Sequence, residues 1–235
     1  MLILASDTSG ASVSTALWQS GQLLGELTLN NGLTHSVSYL PLVQQLLRQC
    51  GKVIHDVDVF AVTVGPGSFT GIRIGISAVK AMAYAAGKLT VGVSSLEAMA
   101  WPFRACRDLL VCPMLDARND RVFAGAWLNG RQVLPEANQL QAIFLTAAAG
   151  LIGAESRISG LLTLGCPLPS AEWSPGIDRA TFGQAPRSFW LPRASSVGEM
   201  AELACAQGLA TDPQILQANY LAIPAAERLK AKTHG

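Results

Sequence analysis

Apolar and polar positions follow two rhythms along this chain. Short apolar runs bounded by turn residues read as strands: Leu2–Ser6 before the polar turn Asp7-Thr8-Ser9-Gly10, then Val13–Trp18, the turn Ser20-Gly21, and Leu23–Leu29. Together they predict an antiparallel meander. A helical rhythm runs from Val37 to Cys50, with Ser36 as its cap and Gly51 as its stop. Leu40, Val43, Leu46, Leu47 and Cys50 form its apolar stripe, and Leu42 widens it, so this helix should bury more than one side. Val57–Val64 then reads as a strand, Ile72–Ala86 as a helix and Leu89–Val93 as a strand, and Ser94 or Ser95 caps a helix holding Glu97 and Met99. The order is β-β-β-α-β-α-β.

Gly65-Pro66-Gly67 joins the fourth strand to the second helix, a turn that needs unusual backbone angles or a close backbone approach, with Ser68 or Thr70 as cap. Along the helix the small residues Gly71, Gly75, Ala78, Met82 and Ala85 recur on one side. Glycine inside a helix is less favourable than alanine by about 1 kcal/mol, so such a face implies a second backbone lying against it. That backbone belongs either to a partner or to the chain's own sheet. A phosphate-binding loop is the other candidate, but no Gly-Lys-Ser or Gly-Lys-Thr follows and Arg73 is the only nearby cation.

The pattern then restarts. At an offset of 109 residues, Asp7, Val13, Trp18 and Gly21 fall on Asp116, Val122, Trp127 and Gly130, each aspartate closing a short apolar strand. A duplicated β-β-β-α-β-α unit with an aspartate in the turn after each first strand is the layout of α/β, actin-like proteins with mixed sheets. The expected division is a first subdomain over residues 1–105 and a second, degenerate one over 106–235, whose C-terminal segment returns to the first. Beyond Gly130, Leu140–Ala149 and Ala194–Ala206 read as helices, the latter capped by Ser195 or Ser196, around a segment from Gly165 to Pro192 rich in proline and glycine.

Composition narrows the function. Of 235 residues half are apolar and 14% charged, with a net charge of +1, so apolar surface for a partner is expected and a strong nucleic-acid footprint is not. The only basic cluster is the tail Arg228, Lys230 and Lys232. No apolar run is long enough for a membrane span, and Met1–Asp7 lacks a basic leader, which implies a cytoplasmic protein without a membrane partner. Five scattered cysteines without a Cys-x-x-Cys pair read as buried free thiols.

Gly65-Pro66-Gly67-Ser68-Phe69-Thr70-Gly71-Ile72-Arg73-Ile74-Gly75 resembles the signature of the TsaB family, the accessory subunits in making N6-threonylcarbamoyladenosine on transfer RNA. The resemblance implies an actin-like fold, no catalytic residue and no cofactor of its own, binding to the catalytic subunit TsaD together with TsaE, contact with tRNA only through the complex, and a homodimer when alone. It covers the first hundred residues closely and the rest loosely. Ala218-Asn219-Tyr220-Leu221 resembles the family's terminal Tyr-Leu-Arg, but Ala222 stands where the arginine is usual; Thr34-His35-Ser36 lacks the acidic residue that follows in the family. On this basis the partner surface is expected at Gly71, Gly75, Ala78, Val79 and Met82 of the second helix with Leu40, Val43 and Leu47 of the first.

The alternative is a free-standing actin-like ATPase or phosphotransferase using Asp7 and Asp116, since such enzymes clamp phosphates between paired turns. The simpler reading is that each aspartate ties down its own turn, because Asp116-Ala117-Arg118-Asn119-Asp120 lacks the hydroxyls and glycines of Asp7-Thr8-Ser9-Gly10; an Asp116–Arg121 ion pair is expected there. His35, His55 and His234 have no metal-binding spacing and read as solvated or capping, and no serine nucleophile motif is present.

Overall fold

The computed structural model describes residues 1–154, 157–168 and 182–221. Its first sheet contains β1 (Leu2–Asp7), β2 (Val13–Gln19), β3 (Gln22–Leu29), β4 (Val59–Gly65) and β5 (Leu89–Ser94) in the order β3-β2-β1-β4-β5. The meander β1-β2-β3 is antiparallel, and β4 and β5 add parallel strands beside β1. Both faces of β1 are covered. Leu2 and Leu4 pack beneath α1 (His35–Gln49) and α2 (Phe69–Ala86), while Ile3 and Ala5 face α5 (Ala194–Ala206). Burial on two sides explains why this strand is an unbroken apolar run rather than an alternating one.

The second sheet repeats the first. β6 (Leu109–Asp116), β7 (Arg121–Leu128), β8 (Arg131–Leu140), β9 (Gly160–Leu164) and β10 (Phe182–Gln184) lie in the order β10-β9-β6-β7-β8, the same arrangement read from the opposite edge. Asp7 closes β1 and Asp116 closes β6, so the 109-residue offset is a true structural repeat. This is the duplicated actin-like α/β architecture. Helix α4 (Gln141–Ala154) covers one face of the second sheet; α3 (Ser95–Ala100) covers the other through Leu96 and Met99, standing between the two halves.

Some boundaries differ from the sequence reading, each for a local reason. Helix α1 begins at His35 after Thr34, so Ser36 lies in its first turn, and it accommodates Pro41 inside. Helix α5 begins after Arg193, and its first N–H groups are met from outside the helix. The Ser14 hydroxyl accepts from Ala194 N–H at 3.2 Å and the Glu26 carboxylate from Ser195 N–H at 2.9 Å, so residues 180 and 169 positions away do the work of a local cap. Ser68 and Ser94 do cap α2 and α3, accepting from Gly71 and Glu97 N–H. The C-terminal part of the chain is bound to the first sheet: α5 lies on β1 and β2, and Thr211 exchanges backbone hydrogen bonds of 2.8 Å with Thr90 of β5.

All five cysteines are free, but only Cys112 and Cys166 are buried; Cys50 and Cys205 are partly exposed and Cys106 is exposed. The Arg228, Lys230 and Lys232 cluster, Ala222, His234 and residues 169–181 of the proline- and glycine-rich stretch fall outside the described residues.

Candidate functional site

Between the two halves lies a cleft of about 1020 Å³, large enough for a small-molecule ligand. One wall is the turn after β1 (Ser9, Gly10, Ala11) with the glycine-rich turn (Pro66–Thr70); the other carries Leu115, Asp116, Arg118 and Phe123 with Trp190 and Leu191. Apart from Asp116 and Arg118, the described residues that line it are uncharged.

Asp7 belongs to the turn but does not face this space. Its side chain is fully buried, and Oδ1 accepts from Ser9 Oγ at 2.6 Å, Thr63 Oγ1 at 2.7 Å and Ser9 N–H at 3.3 Å. Oδ2 has no partner. Burial lifts the carboxyl from 3.8 to about 6, against the opposing pull of the Ser9 and Thr63 hydrogen bonds and the nearby His35. Asp7 is therefore the knot that ties β1, its turn and β4 together. Thr63 is the member that sequence reading missed; its signal is a lone hydroxyl in the apolar run Phe60–Val64, on the strand paired in parallel with β1.

Asp116 takes the other role open to a turn aspartate. It is exposed, and its Oδ1 accepts from Arg118 N–H at 2.8 Å. Arg118, Asn119 and Asp120 all adopt left-handed backbone angles, tightening the link to β7. The expected ion pair with Arg121 does not form: Arg121 starts β7, and its guanidinium binds the Asn138 side chain at 2.7 Å and the Asn138 carbonyl, on the neighbouring β8. His35 is not a solvated or capping residue. Its Nε2 donates to the Gly10 carbonyl at 3.0 Å, pinning the cleft-side turn from α1.

The stripe of small residues needs the largest correction. A methyl group on Gly71 would collide with the Thr8 carbonyl oxygen, and one on Gly75 with the Thr8 hydroxyl. That hydroxyl donates to the Gly71 carbonyl at 2.8 Å. The close backbone approach that the glycines permit is thus made by the chain's own Thr8 turn. Val79, Val43 and Leu47 are likewise buried in the core beneath α1 and α2. Of the eight residues expected at a partner surface, only Leu40 is exposed, while Ala78 and Met82 are half-buried. The surface that α1 and α2 do present is the opposite one, with Val37 at 63%, Leu40 at 47% and Tyr84 at 71% exposure.

Among the described residues no three His, Cys, Asp or Glu side chains come together as metal ligands, and no helix is long and apolar enough to cross a membrane.

Comparison with known proteins agrees with this architecture. A crystal structure of an uncharacterized Pseudomonas aeruginosa protein with similarity to peptidase YeaZ superposes with a TM-score of 0.75 over 94% of this chain and 99% of that one, at 24% identity, which shows a shared fold. The tRNA threonylcarbamoyladenosine biosynthesis protein TsaB of Bacillus subtilis is 36% identical over 149 residues, 62% of this chain and 65% of that protein. The protein of the same name from Escherichia coli is 36% identical over 126 residues, 52% of this chain and 53% of that protein. The chain therefore matches less than two thirds of the length of either curated relative. The family model described as TsaD, tRNA N6-adenosine threonylcarbamoyltransferase, matches residues 30–155, more than half of the chain and the part that holds α1, the glycine-rich turn, α2 and the Asp116 turn. With that match and those relatives, the chain belongs to the family of TsaD and TsaB proteins, as a TsaB-type member.

Proposed function

We propose that this chain is a non-catalytic scaffold subunit in the formation of N6-threonylcarbamoyladenosine on ANN-decoding transfer RNA in the cytoplasm. It docks a TsaD-type catalytic subunit on the outer face of α1 and α2, TsaE joins the pair, and tRNA is engaged through the complex. In the absence of TsaD the same face pairs two copies of the chain.

The supporting observation is the chemistry of that face. Helix α1 has one formally charged residue, Arg48 in its last turn, and α2 has two, Arg73 and Lys80. Both α2 cations are turned aside to bind the C-terminal segment: Arg73 Nε donates to the Tyr220 hydroxyl at 2.9 Å and Lys80 Nζ to the Gln214 carbonyl at 3.0 Å. What remains outward includes Val37, Leu40, Ala81, Ala85 and Tyr84, beside the polar Gln44 and Gln45 and with Arg48 at the end of α1: a sparsely charged surface with two helix ridges, of the kind that another helix pair covers. The phosphotransferase alternative loses its first carboxylate, because Asp7 is sealed beneath its own turn.

Reconstitution tests the proposal. TsaD and TsaE of the same organism should modify an ANN-decoding tRNA only when this chain is added, and its Val37→Glu variant should not restore the reaction. Full modification without the chain, or with the variant at the wild-type rate, would remove the scaffold role.

A further inference from the structure

We propose that Leu216–Leu221 form a latch across the mouth of the cleft, anchored at one end by Lys80 and caught at the other by Arg73, so that release of Tyr220 from Arg73 opens the cleft. After α5 the chain crosses β5 at Thr211, makes a short helical turn at Pro213–Ile215 and passes along α2. Lys80 Nζ donates to two carbonyls of this passage, those of Gln214 at 3.0 Å and Leu216 at 3.2 Å, and the Leu216 side chain enters the core of the first half. This is the fixed end.

Beyond it the contacts change character. Ala218 is half-buried, and Gln217, Asn219 and Tyr220 are exposed. Asn219 N–H donates to the Val64 carbonyl at 2.7 Å, continuing the line of β4. Tyr220 packs its ring 5.1 Å from that of Phe69, and the Arg73 guanidinium lies 3.8 Å from the Phe69 centroid while bonding the Tyr220 hydroxyl. Leu221 reaches the apolar cluster of the second half, beside Ala117 and Trp190. Asn219, Tyr220 and Leu221 all line the cleft, so the segment begins in one half and ends on the other.

The rest of the chain makes room for it. A side chain at Gly65 would strike the Asn219 carbonyl, and one at Gly92 would press on the Leu216 methyl group. Gly65, Phe69 and Arg73 of the glycine-rich stretch thus serve the latch, a use that neither the phosphate-loop nor the partner-face reading contained. A segment held, among the described residues, by one aromatic contact, one side-chain and one backbone hydrogen bond and the partly buried Leu221, with its backbone near water, is the kind that opens locally without unfolding the domain.

The test is hydrogen exchange with mass spectrometry on the full chain, paired with thiol labelling. In Arg73→Ala, the Asn219 amide, bonded to the Val64 carbonyl, should exchange at least about tenfold faster while β1, β4 and the interior of α2 keep wild-type rates. Tyr220→Phe, which keeps the ring and loses only the hydroxyl, should show a smaller rise of about two- to threefold and serves as the readout if Arg73→Ala fails to fold. A cysteine introduced by Ala117→Cys on the opposite wall should react with a thiol reagent about fivefold faster or more when combined with either change, after subtracting the parent chain. Unchanged exchange at Asn219, an increase spread over the whole first sheet, or labelling at 117 indifferent to both substitutions would overturn the latch.

Discussion

The turn after β1 and the turn after β6 occupy the same place in two copies of one topology, and they have been put to opposite uses. In the first, Asp7 is buried and holds three donors on one oxygen, and its neighbour Thr8 is pressed against α2 at Gly71 and Gly75. In the second, Asp116 is exposed and holds one backbone N–H, on a hairpin that closes through three left-handed residues. Actin-like enzymes need both turns facing a phosphate. Here the first is consumed in holding its own half together, and the second lacks the glycines and hydroxyls to act alone. The duplicated fold has kept the position of the aspartates while the chemistry around them diverged.

The largest way to break this contrast is to push the first turn away from α2. Gly71→Ala or Gly75→Ala puts a methyl group where Thr8 already stands, and a shift of packed backbone is expected to lose about 3 kcal/mol or more, lowering Tm by roughly 6 to 12 °C in a domain of this size. A melting scan within 2 °C of wild type would show that the contact yields easily.

A slightly smaller effect separates the aspartates by pH. Asp7 titrates at about 6 in the folded chain and near 3.8 when unfolded. Below pH 4 it is protonated in both states. Between about 4 and 6 the folded protein holds a proton that the unfolded chain has released, so stability falls as pH rises through that window, by about 3 kcal/mol, and the loss is complete above it. Urea midpoints across pH 4 to 8 should show this slope in wild type and lose it in Asp7→Asn; a wild-type-minus-variant difference that is flat with pH would contradict it.

Truncation should separate them next. Asp7→Ala leaves the buried hydroxyls of Ser9 and Thr63 without their acceptor, offset in part by removing a buried carboxylate, for a net loss of about 1 to 2 kcal/mol at pH 7. Asp116→Ala gives up one exposed hydrogen bond and should lose under about 1 kcal/mol. Equal losses would mean the turns are not different in kind. The smallest effect lies in α4 of the second half, where a side chain at Gly150 would meet nothing within 4 Å. Gly150→Ala should stabilise by about 0.5 to 1 kcal/mol, the opposite sign to the α2 glycines, and a loss there would show hidden packing.

The fold was largely readable because its signals are local. Strand runs, the Ser68 and Ser94 caps and the recurrence of Asp, Val, Trp and Gly at one offset all sit within a few residues of the elements they specify. What could not be read involves residues far apart in sequence. Glu26 capping α5, Thr63 meeting Asp7 and Tyr220 catching Arg73 join positions 169, 56 and 147 apart, and no periodicity carries such pairings. The glycine stripe shows the same limit. Its small residues announce a close backbone approach, but only the third dimension tells that the approaching backbone is Thr8 rather than a partner. Of the eight residues expected at a partner surface, most therefore lie on the inward sides of α1 and α2.

The central claim is that the outward, sparsely charged side of α1 and α2 binds a TsaD-type subunit. Its most direct measurement is isothermal titration of that subunit into wild type and Leu40→Glu, a change at a position 47% exposed that the folded chain should tolerate. Binding weakened by about a hundredfold or more, with Tm within 2 °C of wild type, is the result expected; wild-type affinity in a folded Leu40→Glu chain would place the partner elsewhere.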